Sequence, residues 1–204
     1  KWTKSFLMGY DKASIKEPLA SRFYDKTFTV SKSLSAVTRC RALLADAFDY
    51  DWRDYPLDFG LKEIEAQSAQ TPYAVFLVNT SRETKLWSEA KWVALAKDCH
   101  QSGFDVRLIW GSPAERERVE RIASHSGDFC QVLPRMSIKE CAAWLQNAAF
   151  VVGVDTGLTH LAAATARPTV GLFLDYPVEL VGLTGVSTVS LGGVGADPTL
   201  PEVK

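Results

Sequence analysis

From Tyr73 onward the chain alternates short apolar runs with amphipathic segments that open on helix-start signals, and this periodicity leaves few folds open. The runs cover residues 73–78, 106–110, 150–154 and 169–174, with weaker ones at 130–133 and 188–191. Between them, Ser88 can cap a helix that carries Trp92, Leu95, Ala96 and Cys99 on one face and ends near Gly103. Ser112-Pro113-Ala114-Glu115 and Ser137-Ile138-Lys139-Glu140 are capping boxes, each ahead of an apolar-periodic stretch. Repeated βα units of this kind predict an α/β, Rossmann-like domain over residues 73–204, a parallel sheet flanked by helices.

The first 72 residues read differently. Over residues 14–48 the signals are helical. Ser14-Ile15-Lys16-Glu17 has capping-box spacing, and Pro18 suits a first turn. A second helix is expected from about residue 33 to 48, with Leu34, Val37, Leu44, Ala47 and Phe48 on one stripe. Asp49, Asp51, Asp54 and Asp58 then gather around Pro56 and Gly60, followed by the polar stretch at 67–72. That composition predicts a linker or a domain edge, so the division falls at 1–72 and 73–204.

Composition removes several classes. With 47% apolar and 23% charged residues the chain is an ordinary globular sequence, neither disordered nor collagen-like nor a disulfide scaffold. No apolar run approaches the ~20 residues of a spanning helix, and Lys1-Trp2-Thr3-Lys4 leads into no export signal. The sequence therefore reads as neither membrane-crossing nor secreted. A formal charge of −1 argues against a nucleic-acid partner, which would call for a strongly basic domain. The charge is uneven, however: net +5 over residues 1–48 and net −6 over 49–204. A basic front end suits an anionic surface, or simply a solvated helix face. Cys40, Cys99, Cys130 and Cys141 show no C-x-x-C pairing and read as buried thiols in a reducing compartment. Position 1 is not Met, which suggests a cut into a longer chain.

In an open parallel sheet, ligands collect where strands end and helices begin. Two such places stand out. At 151–164 a buried strand stops at Asp155, Gly157 allows close backbone approach, and an Ala-rich helix follows at once. The free N–H groups of that helix start suit a phosphate or a ribose hydroxyl network. His160 lies one turn in from Thr156, facing the same side. An Asp/Thr cap with a His merely accommodated in the helix fits the same residues. After the run at 73–78, Thr80 and Ser81 offer hydroxyls, and Arg82 and Lys85 offer cations suited to a diphosphate, although the G-x-x-x-x-G-K-[ST] signature is lacking and, taken alone, the segment reads more readily as a solvated turn. Glu115 has two readings, a capping-box carboxylate or an acceptor for ribose hydroxyls beyond Trp110. Met136, in Leu133-Pro134-Arg135-Met136, either fills a gap or packs on a flat base.

Four segments together resemble the bacterial lipopolysaccharide heptosyltransferases of glycosyltransferase family 9: T-S-R-x-x-K-x-W at 80–87, W-G-S-P-A-E at 110–115, V-L-P-R-M-S at 132–137 and V-D-T-G-L-T-H-L-A-A-A at 154–164. E-P-L-A-S-R-F-Y at 17–24 is similar to the heptosyltransferase I branch. The likeness covers almost the whole chain.

The resemblance implies a GT-B arrangement, with residues 73–204 as the donor-binding domain and residues 1–72 as the helical tail of an acceptor domain plus linker. It implies an inverting glycosyltransferase that moves L-glycero-D-manno-heptose from ADP-heptose to Kdo-lipid A without a required metal or other cofactor. Such an enzyme would be cytoplasmic and peripheral at the inner face of the inner membrane. It assigns donor contacts to Thr80, Ser81, Lys85, Glu115, Met136, Asp155, Thr156, Gly157 and His160. Lys85 and the 155–160 segment would hold the diphosphate, Glu115 the ribose and Met136 the adenine, with Lys85 as the catalytic choice. The family also uses an Asp in a Gly-rich loop as general base, and residues 1–48 contain no matching Gly-Asp loop. Another GT-B nucleotide-sugar enzyme and a non-catalytic nucleotide-sugar-binding module stay open as alternatives.

Overall fold

The computed structural model describes residues 5–61 and 71–203; Lys1-Trp2-Thr3-Lys4 and most of the polar stretch at 67–72 lie outside the described residues. The chain divides into two compact units, Lys1–Leu57 with Glu179–Val181, and Asp58–Val178 with Gly182–Lys204.

The first unit is less helical than its sequence suggests. Strands β1 (Met8–Tyr10) and β2 (Lys26–Phe28) pair in parallel, joined through a 3-10 turn at Pro18–Phe23. No helix starts at Ser14: its buried Oγ accepts the Val30 N–H at 2.8 Å, so the expected cap serves a tertiary bond instead. Helix α1 (Ala36–Phe48) is present, capped by Ser35, whose Oγ accepts the Thr38 N–H. It stops at Asp49, which adopts the left-handed conformation (φ 56°, ψ 57°), a region that a short polar side chain tolerates. The expected apolar stripe is not its packed face. Leu34, Leu44 and Phe48 are exposed and Val37 and Ala47 only half-buried, while Ala45 is buried. The inward side is built on arginines: Arg39 lies over the Tyr10 ring at 4.7 Å and donates to the Ser14 carbonyl, and Arg41 lies over Trp52 and donates to the Trp52 and Tyr55 carbonyls. A guanidinium on a long apolar stem can cover an aromatic ring and bond carbonyls at once, which a two-letter polar/apolar pattern scores as outward.

The second unit has the expected α/β architecture, although it begins at Asp58 rather than Tyr73 and leaves out Glu179–Val181. Strands β3 (Tyr73–Leu77), β4 (Asp105–Leu108), β5 (Cys130–Val132), β6 (Phe150–Val154), β7 (Thr169–Phe173) and β8 (Thr188–Gly192) form one parallel sheet, ordered β5-β4-β3-β6-β7-β8. Helices α2 (Glu89–Gln101), α3 (Pro113–Ser126), α4 (Ile138–Asn147) and α5 (Gly157–Ala164) connect successive strands from β3 to β7. Two four-residue helices follow in the chain: α6 (Val178–Val181), of which Glu179–Val181 are grouped with the first unit, and α7 (Leu200–Val203) in the second. Both capping boxes form as the sequence predicts, with Ser112–Glu115 opening α3 and Ser137–Glu140 opening α4. The four apolar positions expected on α2 are its buried ones.

All five residues of β3 are buried, because a parallel strand at the sheet centre is covered on both faces. Alternate side chains serve opposite cores. Ala74, Phe76 and Val78 pack with Trp87, Trp92, Leu95, Val119 and Ile122, while Tyr73, Val75 and Leu77 pack with Cys141, Leu145 and Ala162. Trp92 is fully buried between Trp87 and Phe76, with ring centroids 5.0 and 5.2 Å away. Cys99, Cys130 and Cys141 are buried as expected, and Cys40, on α1, is exposed, contrary to expectation.

The order of the sheet decides where a ligand can sit. From β3 the chain winds outward through β4 to β5, then returns to the opposite flank of β3 and winds outward again through β6, β7 and β8. The reversal lies between β3 and β6, whose register pairs Leu77 with Gly153 at their carboxyl ends. Connections leaving these two strands diverge to opposite faces and open a crevice there.

Candidate functional site

The two segments singled out from the sequence meet at this reversal. Thr80, three residues past β3, donates its hydroxyl to the Asp155 carbonyl, one residue past β6, at 2.9 Å. A short 3-10 turn, Glu83–Lys85, then carries Lys85 back over the strand ends. Its Nζ lies 2.5 Å from Asp155 Oδ2, with both side chains largely shielded from solvent at 14% and 15% exposure. On the other side of the carboxylate, His160 Nε2 lies 3.7 Å from Asp155 Oδ1. His160 and Lys85 hold the Asp155 carboxyl below the usual carboxylate range, against the opposing effect of its burial.

The start of α5 completes the cluster. Thr156 occupies the N-cap position in extended conformation (φ −148°, ψ 156°), and its side chain caps none of the helix N–H groups. The first N–H groups of a helix have no partner within it, so this end presents donors and the positive end of the helix dipole beside Lys85. At Gly157, the first residue of α5, a Cβ would meet no atom within 4 Å outside the helix's own first turn, so open space adjoins the helix start. Gly153 answers a different need. A Cβ there would fall 2.2 Å from Thr159 Oγ1, and the buried Thr159 hydroxyl donates to the Val154 carbonyl at 2.7 Å. Removing one side chain from β6 lets α5 close onto the sheet through a hydroxyl, which fixes the height of its first turn.

Thr80, Lys85, Asp155, Thr156, Gly157 and His160 are thus brought together, whereas the remaining expected residues are spread along the same edge. Ser81 is exposed on the loop that carries Thr80. Glu115, past β4, uses Oε2 to accept the Gly111 and Ser112 N–H groups at 2.8 and 2.9 Å, so its capping role is real. Met136, past β5, is partly buried against the core on the α4 side. Trp110, past β4, is fixed to the end of β5 by its Nε1–H, which donates to the Leu133 carbonyl at 2.7 Å. The edge therefore offers a cationic and N–H-lined end at β3/β6 and a more apolar end toward β4/β5. That polarity matches a molecule with a charged phosphate part and a flat, weakly polar part. Among the described residues, no group of three or more His, Cys, Asp or Glu is placed to hold a metal ion.

Sequence reasoning passed over the end of β7. Asp175 Oδ2 accepts the Thr84 hydroxyl at 2.9 Å and lies 3.7 Å from Arg82, and the Tyr176 ring lies beneath both Arg82 and Lys85. The signal was available, since the apolar run at 169–174 marks a strand whose carboxyl end must be Asp175. Trp87, in the T-S-R-x-x-K-x-W segment, proves to be a core residue whose Nε1–H donates to the Pro198 carbonyl.

Comparison with known proteins places the chain among related glycosyltransferases. The chain is 44% identical over 191 residues to lipopolysaccharide heptosyltransferase 1 of Pseudomonas aeruginosa, covering 93% of this chain and 54% of that protein. It is 41% identical over 177 residues to lipopolysaccharide heptosyltransferase 1 of Salmonella typhimurium, covering 85% and 56%. Among solved structures it superposes on E. coli heptosyltransferase WaaC with ADP at a TM-score of 0.81 and 34% identity, over 92% of this chain and 59% of that one. The chain spans about half the length of the curated relatives it matches. Glycosyltransferase family 9 (heptosyltransferase) matches residues 2–199, and the chain belongs to that family.

Proposed function

We propose that residues 73–204 form the donor half of an inverting glycosyltransferase that transfers L-glycero-D-manno-heptose from ADP-heptose to the Kdo-lipid A inner core. Residues 1–72 are then the tail of the acceptor-side domain and the linker. The observation that carries this reading is the Lys85–Asp155 pair at the sheet reversal, beside an α5 start whose cap side chain takes none of its N–H groups. A relative has been solved with ADP and with ADP-2-deoxy-2-fluoro heptose, at 34% and 33% identity.

In this reading the donor diphosphate lies over the start of α5, held by Lys85, Thr156 and the N–H groups at Gly157, with Ser81 and His160 beside it. Glu115 meets the ribose, and Met136 packs on the adenine. Heptose transfer passes through an oxocarbenium-like state in which negative charge grows on the departing ADP. Fixed donors and a cation facing that charge lower the barrier because they require no reorganisation when it forms. Lys85 is the residue assigned to that task. The acceptor hydroxyl also needs a base within hydrogen-bond reach, and no residue of this chain is assigned to it.

The acceptor is an anionic glycolipid, so the net +5 of residues 1–48 supports a peripheral contact with the inner face of the inner membrane. No helix among the described residues is long and apolar enough to cross a membrane. The donor reading is tested by calorimetric titration of the chain with ADP-heptose, UDP-GlcNAc and GDP-mannose. Binding of ADP-heptose alone is expected; exclusive binding of UDP-GlcNAc would refute it.

A further inference from the structure

The 82–85 turn has no regular secondary structure beyond three residues of 3-10 helix, yet it must present the Lys85 ammonium at one point. Its anchor is the end of the neighbouring strand β7. Thr84 donates to Asp175 Oδ2 at 2.9 Å, and Arg82 pairs with the same oxygen at 3.7 Å, so one carboxylate holds the turn on both sides of Glu83. The next residue, Tyr176, places its ring 5.0 Å from Lys85 Nζ and 5.9 Å from the Arg82 guanidinium. Lys85 therefore touches two groups of different kind, the Asp155 carboxylate from β6 and the Tyr176 ring from β7.

The two contacts respond differently to an arriving anion. A diphosphate competes with Asp155 for the ammonium, since both are anionic acceptors for the same N–H donors. The face of an aromatic ring attracts the cation through its quadrupole and carries no net charge, so it does not compete in that way. We infer that Asp175 and Tyr176 are positioning residues for Lys85: they dock the 82–85 turn on the end of β7, and the Tyr176 ring keeps the ammonium at the sheet reversal when Asp155 yields it to the diphosphate. This rests on the donor reading above. It adds the third strand end, β7, to a site otherwise built from β3 and β6.

The test uses the 204-residue chain with ADP as the probe. Tyr176→Leu is expected to weaken ADP binding by about threefold to thirtyfold, the range of a cation–π contact from exposed to desolvated. Tyr176→Phe, which keeps the ring, should restore most of that affinity. In a Lys85→Ala background Tyr176→Leu should change affinity no further, because the residue it serves is gone. Equal losses in both backgrounds, or a Tyr176→Phe variant as weak as Tyr176→Leu, overturn the proposal. A second readout is independent of ADP. In protein labelled at the lysine ε-carbons, the Lys85 resonance, identified by its absence in Lys85→Ala, should be shifted by the ring and should return toward the free-lysine position in Tyr176→Leu. An unmoved resonance overturns the placement of Lys85 by Tyr176. If Lys85→Ala binds ADP as tightly as the unmodified chain, the donor reading fails instead, and the resonance still decides whether Tyr176 positions Lys85.

Discussion

Lys85 Nζ and Asp155 Oδ2, seventy residues apart in sequence, lie 2.5 Å apart across the point where the sheet reverses direction. The pair ties the loop after β3 to the loop after β6, and Thr80 doubles the tie through the Asp155 carbonyl. It also keeps a lysine in place before any ligand arrives. Lys85→Ala should weaken ADP binding to the chain about ten- to a hundredfold, as expected for losing one hydrogen bond to a charged group. In a complete enzyme it should lower kcat about ten- to a thousandfold, the range for an electrostatic stabiliser. Calorimetry measures the first, and turnover at saturating donor the second. Unchanged values in both would remove Lys85 from the site.

The same pair sets an acid limit on stability. His160 and Lys85 hold the Asp155 carboxyl below its ordinary value in the folded state. A depressed folded pKa contributes stability that is present above the unfolded value of about 3.9 and is lost as pH falls through the folded one. The Tm advantage of the unmodified chain over Asp155→Asn should therefore be full at pH 6, shrink below about pH 4 and vanish at lower pH. Thermal melts of both proteins between pH 2.5 and 7, in buffers of equal ionic strength, check this. A constant difference across that span would mean that the carboxylate charge does not contribute.

The second unit was legible because its signals are local and agree with one another. Ser88, Ser112 and Ser137 each sit one residue before a helix, and β3 and β6 read as unbroken apolar runs. The first unit was not legible for two reasons. Ser14 and Glu17 have the spacing of a helix cap, but the Ser14 hydroxyl is taken by Val30, a partner sixteen residues away that no local pattern reveals. In α1 the packed side is carried by Arg39 and Arg41 against Tyr10 and Trp52, so the most apolar stripe pointed to the wrong face. At the site, strand ends located Thr80, Lys85 and Asp155, because position along a βα unit is readable. Which strand ends are neighbours is not readable before the sheet order is known, and so Asp175 and Tyr176, beyond β7, were passed over.

The basic charge of residues 1–48 gives a salt-dependent expectation. If that segment meets an anionic bilayer, association with vesicles containing about 30% phosphatidylglycerol should fall several-fold between 50 and 300 mM salt, because surface attraction is screened within a Debye length. Neutral phosphatidylcholine vesicles should bind little at either concentration. Co-sedimentation measures both, and salt-independent association would leave the segment as an ordinary solvated surface.

Thiol accessibility separates the two units. Cys40 is exposed, whereas Cys99, Cys130 and Cys141 are buried, and burial pushes the Cys130 thiol up to about 11. Since the thiolate is the reacting form, a native sample at pH 8 should release the colour of one thiol rapidly with an aromatic disulfide reagent. All four should react once the protein is unfolded. Cys40→Ser should abolish the rapid phase and leave the slow one.

Two glycines of the β6–α5 unit, four residues apart, one in the strand and one at the helix start, should fail in opposite ways when each is replaced by alanine. Gly153 faces Thr159, and a Cβ placed there would lie 2.2 Å from its Oγ1 inside a fully buried contact. Neither the strand nor α5 can shift without breaking the Thr159 bond to the Val154 carbonyl. Gly153→Ala should therefore cost about 1–3 kcal/mol, as for other overpacked core positions. That corresponds to a fall in Tm of roughly 2–12 °C for a chain of this size. Gly157 begins α5 and its Cβ would meet nothing within 4 Å, so Gly157→Ala should leave Tm unchanged or slightly raised. In the proposed donor reading, however, the phosphate approaches the start of α5, and the added methyl takes up space that Gly157 leaves open there. Gly157→Ala should bind ADP at least several-fold more weakly while remaining fully folded. A Gly157→Ala protein with normal ADP affinity would place the phosphates elsewhere on the sheet edge, and a Gly153→Ala protein with unaltered Tm would show that α5 is not held at the height Thr159 gives it.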